Sequence, residues 1–297
     1  PECDMLYNVT TMCTTWNAVA TKDAGLLKRQ FDIVCNLPAE YLFLNYLRCH
    51  DDIGWGLDYS YLKQHGQEEV PHKAFLNSYF QGKYTFSDAR GELYNDDPKL
   101  KDARLCGTTA SLCGIEAAKA VNDKARLESA MTLDLMLHAF LLTQRGLPIL
   151  YGGDEVAQLN DYSYHDDPLK QDDSRYIHRG KMDWRRAALR KRPGTIQNKI
   201  FNGIRKLTDI RKYYNVFSND AECYTIETEN SHVLGVRRKY EENVLIALFN
   251  FSSENEKAVI EEGSYRDLCS DERMTGGTVT VEGNGFKWLY KKQRLLQ

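Results

Sequence analysis

Residues 41–56 read YLFLNYLRCHDDIGWG. An apolar and aromatic run, Tyr41 to Leu47, is followed almost at once by a histidine and two carboxylates, His50, Asp51 and Asp52. The run is short, rich in aromatic and aliphatic residues, and preceded by the turn-like NLPAE, so it reads as a buried strand. The polar triplet then stands at the C-terminal end of that strand. In isolation, His50-Asp51-Asp52 also fits a solvated strand-to-loop turn or a helix cap.

The same arrangement recurs further along. Leu133, Met136, Leu137, Phe140 and Leu141 repeat at helical spacing up to Gly146, and LPILYGGDE follows as a second apolar strand ending in acids. A helical pattern also runs from about Thr14 to Ile33, and another carries Ile196, Ile200, Ile204, Leu207 and Ile210 on one face, with Pro193 near its start. Buried strands alternating with helices predict an α/β fold with a parallel sheet, and polar groups at strand C-termini are the habit of the (β/α)₈ TIM barrel. Two strands cannot close one. From about Phe217 the texture changes to short strands separated by turns, which predicts a terminal all-β sandwich domain at 217–297, with the barrel part at 1–216. Residues 54–105, rich in Asp, Tyr and Gly, read as a loop insertion far longer than a barrel loop needs.

Composition excludes several classes. A chain of 297 residues that is 42% hydrophobic with a net charge of −3 has the make-up of a globular protein and offers no basic face for nucleic acid; DWRRAALRKRP reads as a solvated helix or loop. No apolar stretch has membrane-span length, and no leader precedes ECDMLYN. The eight cysteines show no C-x-x-C pair, so they read as reduced residues in a cytoplasmic setting. NVT and NFS match the glycosylation triplet, a pattern common by chance. No Cys/His cluster has metal-site spacing and no Gly-rich loop has a phosphate-cradling context, so no metal or cofactor is expected.

NYLRCHDDIGW, DARLCGTTASLCG, GLPILYGGDEVAQLND and DDSRYIHR, in this order and ahead of a β domain, resemble the α-amylase superfamily of glycoside hydrolases, and within it the amylosucrase branch, whose members transfer glucose from sucrose to an α-1,4-glucan. The resemblance runs from about Glu2 to the end of the chain. It implies that the chain holds the last third of the barrel, with its seventh and eighth strands, and the terminal β domain. It also implies that the nucleophilic Asp and the acid/base Glu precede Pro1, so that the chain alone is inactive and only loosely packed before Phe217. Asp51 and His50 match the catalytic pair that binds the sugar ring, Asp52 and Arg104 match residues of the acceptor side, and Arg175 matches an arginine whose partner acid lies in an early barrel loop outside this chain. Without the resemblance, Asp52 reads equally as an Asx turn and Arg104 as a helix-capping arginine or a partner of Asp102. Asp154 and Glu155 sit in a segment the superfamily uses mainly as architecture. Trp55 and Tyr59 either stack on sugars or pack their loop down. The expected partners are sucrose and α-glucan oligosaccharides. Sucrose hydrolase and sucrose phosphorylase share the machinery and differ in the acceptor. A metal-dependent phosphohydrolase built on His50-Asp51, and a non-catalytic glucan-binding module, are the readings from other classes.

Overall fold

The computed structural model describes residues 5–38 and 40–292. Its elements are β1 (Met5–Tyr7), α1 (Val9–Thr21), α2 (Gly25–Cys35), β2 (Leu42–Tyr46), α3 (Tyr59–Gln64), α4 (Glu69–Phe80), β3 (Glu92–Asp97), β4 (Asp102–Cys106), α5 (Thr109–Leu112), α6 (Ile115–Ala120), α7 (Lys124–Thr143), β5 (Leu147–Ile149), α8 (Trp184–Ala188), α9 (Ile196–Tyr213), and then six strands, β6 (Glu222–Ile226), β7 (Val233–Tyr240), β8 (Asn243–Asn250), β9 (Glu256–Asp267), β10 (Arg273–Val281) and β11 (Phe286–Lys292). No helix among the described residues is long and apolar enough to cross a membrane. The chain divides into two compact units, one of Pro1–Asn45, Leu135–Ile149 and Gly203–Gln297, the other of Tyr46–Asp134 and Leu150–Asn202.

In the first unit β1, β2 and β5 form a three-stranded sheet in that order, with β1 parallel to β2 in the register Met5↔Leu42. Both anticipated strands are present, and β1, which the sequence pattern does not announce, covers the β2 edge that would otherwise stand open. Asn45 fastens this layer: its amide donates to the Arg145 carbonyl at 2.8 Å, and its oxygen accepts from Asn8, whose own oxygen caps α1 through the Thr11 N–H. The single helix anticipated over Thr14 to Ile33 is two, because Lys22 closes α1 in the left-handed region and Asp23 then accepts from the Gly25 N–H at 2.8 Å to open α2. Gly146 turns the chain from α7 into β5 at φ +108; a Cβ there would lie 2.3 Å from the Phe43 carbonyl oxygen, so only glycine fits.

The C-terminal strands form one antiparallel sheet in the order β10-β9-β11-β8-β7-β6. It folds over on itself, since among the described residues β9 joins β11 through Leu289↔Asp267 and Tyr290↔Arg266 while Ala258, Ile260, Val279 and Val281 face Val244, Ile246 and Leu248 in one core. The sandwich is thus a single coiled sheet. Arg238 is fully buried beneath it and donates to the carbonyls of Val216 at 2.7 Å and Ser218, and to that of Thr143 at 2.5 Å, an acceptor that the end of α7 leaves over. The two asparagines of the glycosylation triplets, Asn8 and Asn250, are both buried, so neither offers an accessible amide.

In the second unit the long insertion is structured: α3 and α4 are followed by the β3–β4 hairpin, paired from Glu92↔Cys106 to Asp97↔Asp102. Trp55 and Phe80 stack with ring centres 5.8 Å apart, and Trp55 donates its indole N–H to Asn77 at 2.7 Å. Trp55 is a core residue of the insertion.

Candidate functional site

The chain leaves β2 at Tyr46 and within four residues reaches His50, whose side chain is largely exposed, as about half of Asp51 is. The Asp51 carboxylate has two sides. Oδ2 faces His50 Nε2 at 3.4 Å, while Oδ1 faces Nη1 of Arg175 at 3.5 Å and Nη2 of Arg179 at 3.4 Å. Arg175 is itself held by Asp173 in a two-bond fork of 2.8 and 2.9 Å and lies over the Tyr94 ring at 4.5 Å. The Arg175 guanidinium, hydrogen-bonded to Asp173, holds that carboxyl below the usual range. The carboxylate at the strand end is therefore fixed by cations that are themselves fixed.

Asp52 turns the other way. Its side chain is only 8% exposed, and its Oδ2 lies 3.3 Å from Nη1 of Arg104, on β4 opposite Tyr94. Asp102 pairs instead with Lys73 at 3.3 Å. The chain between the two aspartates' destinations is anchored where Ile53 exchanges backbone hydrogen bonds with Leu105 at 2.7 and 2.9 Å.

A buried layer supports these groups. His178 Nδ1 accepts from the Gly107 N–H at 3.2 Å, which leaves Nε2–H to donate to the His50 carbonyl at 3.2 Å. Burial, with the Arg48 charge nearby, pushes His178 down to about 4, so the ring is neutral and holds that tautomer. The same His50 carbonyl accepts from Arg179 Nε at 2.7 Å. Arg48 and Asp154 form a buried ion pair, with bonds of 2.6 and 3.0 Å to Oδ1, and Thr109 donates to Oδ2 at 3.1 Å. Asp154 is committed to that pair, and Glu155 accepts from the Gly153 N–H at 2.8 Å in its own turn.

Of the five residues singled out in the sequence, His50, Asp51 and Arg175 meet in one cluster and Asp52 and Arg104 meet in a second, next to it along the chain. Among the described residues the carboxylates against Arg175 are Asp173 and Asp51. Arg179, His178, Asp173 and Arg48 belong to the same assembly and were not singled out, although DDSRYIHR and LRCHDD contain all four; Asp173 and Arg179 cap the short turn Ser174–His178 that carries His178. Cys49, His50 and Asp51 bring one donor atom each to within 4.8 Å of one another, a possible soft-cation set whose carboxylate is already engaged by the two arginines. A cleft of about 300 Å³ lies in the same unit, lined by Val156, Asn160, Asp161, Lys181 and Arg186 and by neither His50 nor Asp51.

No family model matches the chain. A curated relative, glucosylglycerate phosphorylase of Escherichia coli (strain K12), is 27% identical over 157 residues, which are 52% of this chain and 27% of that protein. Among solved structures, a noncanonic maltogenic alpha-amylase from Thermotoga neapolitana matches 98% of this chain and 51% of its own at 15% identity and a TM-score of 0.55. AmyP in complex with maltose matches 100% and 52% at 11% identity and a TM-score of 0.61, and a cyclic alpha-maltosyl-(1-->6)-maltose hydrolase from Arthrobacter globiformis matches 97% and 44% at 16% and 0.53. The chain thus spans about a quarter of the curated relative and about half of the solved enzymes. The fold is the C-terminal portion of an α-amylase-type (β/α)₈ barrel followed by its all-β domain.

Proposed function

We propose that the chain is the C-terminal part of a retaining α-glucosyl-transferring enzyme of the α-amylase superfamily, acting on sucrose in the manner of amylosucrase and passing glucose to an α-1,4-glucan with release of fructose. The observation that carries this reading is the Asp51 carboxylate, fixed at a strand end between His50 and the guanidinium pair yet half open to solvent. Retaining glycosyl transfer runs through an oxocarbenium-like state, and a carboxylate held beside the ring stabilises the positive charge that develops there without reorganising. In this reading His50 donates to a hydroxyl of the same ring, and Asp52 with Arg104 binds the unit on the acceptor side. Arg175 closes the pocket. The nucleophilic Asp and the acid/base Glu lie outside these 297 residues, so the isolated chain binds sugar but does not turn it over.

The similarity to glucosylglycerate phosphorylase favours a second reading, in which phosphate takes the glucosyl unit. Ligand-observed NMR of the chain with sucrose, maltotriose and inorganic phosphate separates the two. Sucrose and maltotriose binding that is lost in Asp51→Asn supports the first reading, and phosphate dependence of sugar binding supports the second. Sustained fructose release from sucrose by the chain alone would place the catalytic pair within it and overturn the assignment.

A further inference from the structure

Helix α2 is joined to strand β6 and the residue that follows it by three rungs. Lys28 pairs with Glu227, Asp32 accepts from the Thr225 N–H at 3.3 Å and from its hydroxyl at 2.5 Å, and Cys35 Sγ stands 3.7 Å from Cys223 Sγ. Positions 28, 32 and 35 recur at helical spacing and 227, 225 and 223 at strand spacing in the reverse direction, so one helix face runs antiparallel to one strand face and the thiols form its last rung. We propose that Cys35 and Cys223 are a redox modification site, which a low-molecular-weight disulfide converts into an intramolecular Cys35–Cys223 disulfide.

The two sulfurs need approach by only about 1.7 Å to reach bonding distance, a movement within reach of side-chain rotation at a helix end. Cys35 is the last residue of α2 and is half-buried, so it is the one a reagent meets; Cys223 is buried behind it. The hydrogen bond from Cys35, together with the charges of Arg238 and Arg145, lowers the Cys223 thiol below the usual range although burial opposes this, while the same hydrogen bond and burial raise Cys35. With Cys223 ionised, the pair holds one proton as S–H···S⁻.

Exchange uses that arrangement. Cys223 takes the Cys35 proton as Cys35 sulfur attacks one sulfur of the reagent, forming a mixed disulfide and releasing a thiolate. That thiolate takes the proton from Cys223, whose sulfur then attacks Cys35 sulfur and releases the second thiolate, protonated by solvent. From the thiol–thiolate pair the protein loses two electrons and one proton, solvent supplies the second proton, and one reagent disulfide becomes two thiols. The product links residues 188 apart in sequence and makes the bond between α2 and β6 covalent.

The test is to equilibrate the full chain with oxidised glutathione, block free thiols and map tryptic peptides. Residues 30–48 and 213–237 form tryptic peptides with one cysteine each. The expected result is a disulfide joining these two peptides, a fall from eight to six titratable thiols per chain, and a rise in Tm that dithiothreitol reverses. Cys35→Ser, and separately Cys223→Ala, should show no oxidation-dependent Tm rise. Recovery of Cys35 and Cys223 as blocked free thiols after equilibration overturns the proposal, as does linkage of either one to another cysteine; both are read on the unaltered chain and do not depend on the variants folding.

Discussion

The Asp51 carboxylate lies 3.5 Å from Nη1 of Arg175, and Arg175 in turn holds Asp173 through two bonds of 2.8 and 2.9 Å. The Asp51 charge is thus oriented by a cation that is itself held in place. On the proposed function, Asp51→Asn in a full-length parent should lower kcat/KM for glucosyl transfer by about a thousandfold or more while leaving Tm nearly unchanged, because the amide keeps the volume and removes only the negative charge. Wild-type turnover by that variant would remove Asp51 from the mechanism.

Arg104 is anchored to Asp52 at 3.3 Å and is otherwise more than half exposed, so a sugar hydroxyl can reach its free donors. Arg104→Ala should slow transfer to a glucan more than hydrolysis by water, by roughly tenfold for the loss of one charged hydrogen-bond partner. Equal slowing of both rates, measured as fructose against free glucose, would show that the residue does not hold the acceptor.

Arg48 and Asp154 illustrate how a buried pair behaves when one member goes. Arg48→Met leaves the Asp154 charge buried with only the Thr109 hydroxyl for company and should cost about 3–5 kcal/mol in urea unfolding. Arg48→Met combined with Asp154→Leu should recover most of that loss. A double variant as unstable as the single one would mean that the pair's role is something other than mutual neutralisation.

His178 couples stability to pH. Its native pKa, about 4, is below the ordinary value of 6.5, so the unfolded chain binds a proton that the native chain refuses. The stabilisation is complete above about pH 6.5, falls as pH drops, and is gone by about pH 4, amounting to roughly 3 kcal/mol over that window. Comparing the pH dependence of unfolding for the parent and for His178→Gln isolates this contribution, and the parent should show the steeper fall between pH 6.5 and 4. Parallel curves would contradict it.

The strands were legible as unbroken apolar runs, since Tyr41 to Leu47 contains β2 and LPILY contains β5, although Leu42–Leu44 are only half-buried and Leu147 and Ile149 are exposed. β1 was not legible, being three exposed residues whose only reason to be a strand is the partner beside them. The break between α1 and α2 lies in backbone conformation at Lys22, which no hydrophobic period records. For the site, local order in the chain marked His50, Asp51 and Asp52, whereas the guanidinium partners stand 124 and 128 residues away and were named only in part. The supporting layer of His178, Arg48 and Asp154 stands in motifs that the sequence marks, but its role was not legible because mixed polar residues carry no period; only packing decides which are buried.

The position of β11 has a consequence for how the protein is made. It is the last strand among the described residues, yet it lies inside the six-stranded order, between β9 and β8. During synthesis β6 to β8 and β9 to β10 can each pair as hairpins leave the ribosome, but until Phe286–Lys292 follows them, β8 and β9 both present open edges. Insertion of β11 joins the two sets in one step, so the nascent chain carries two open sheet edges, and its greatest exposure to misassociation, until this strand has emerged.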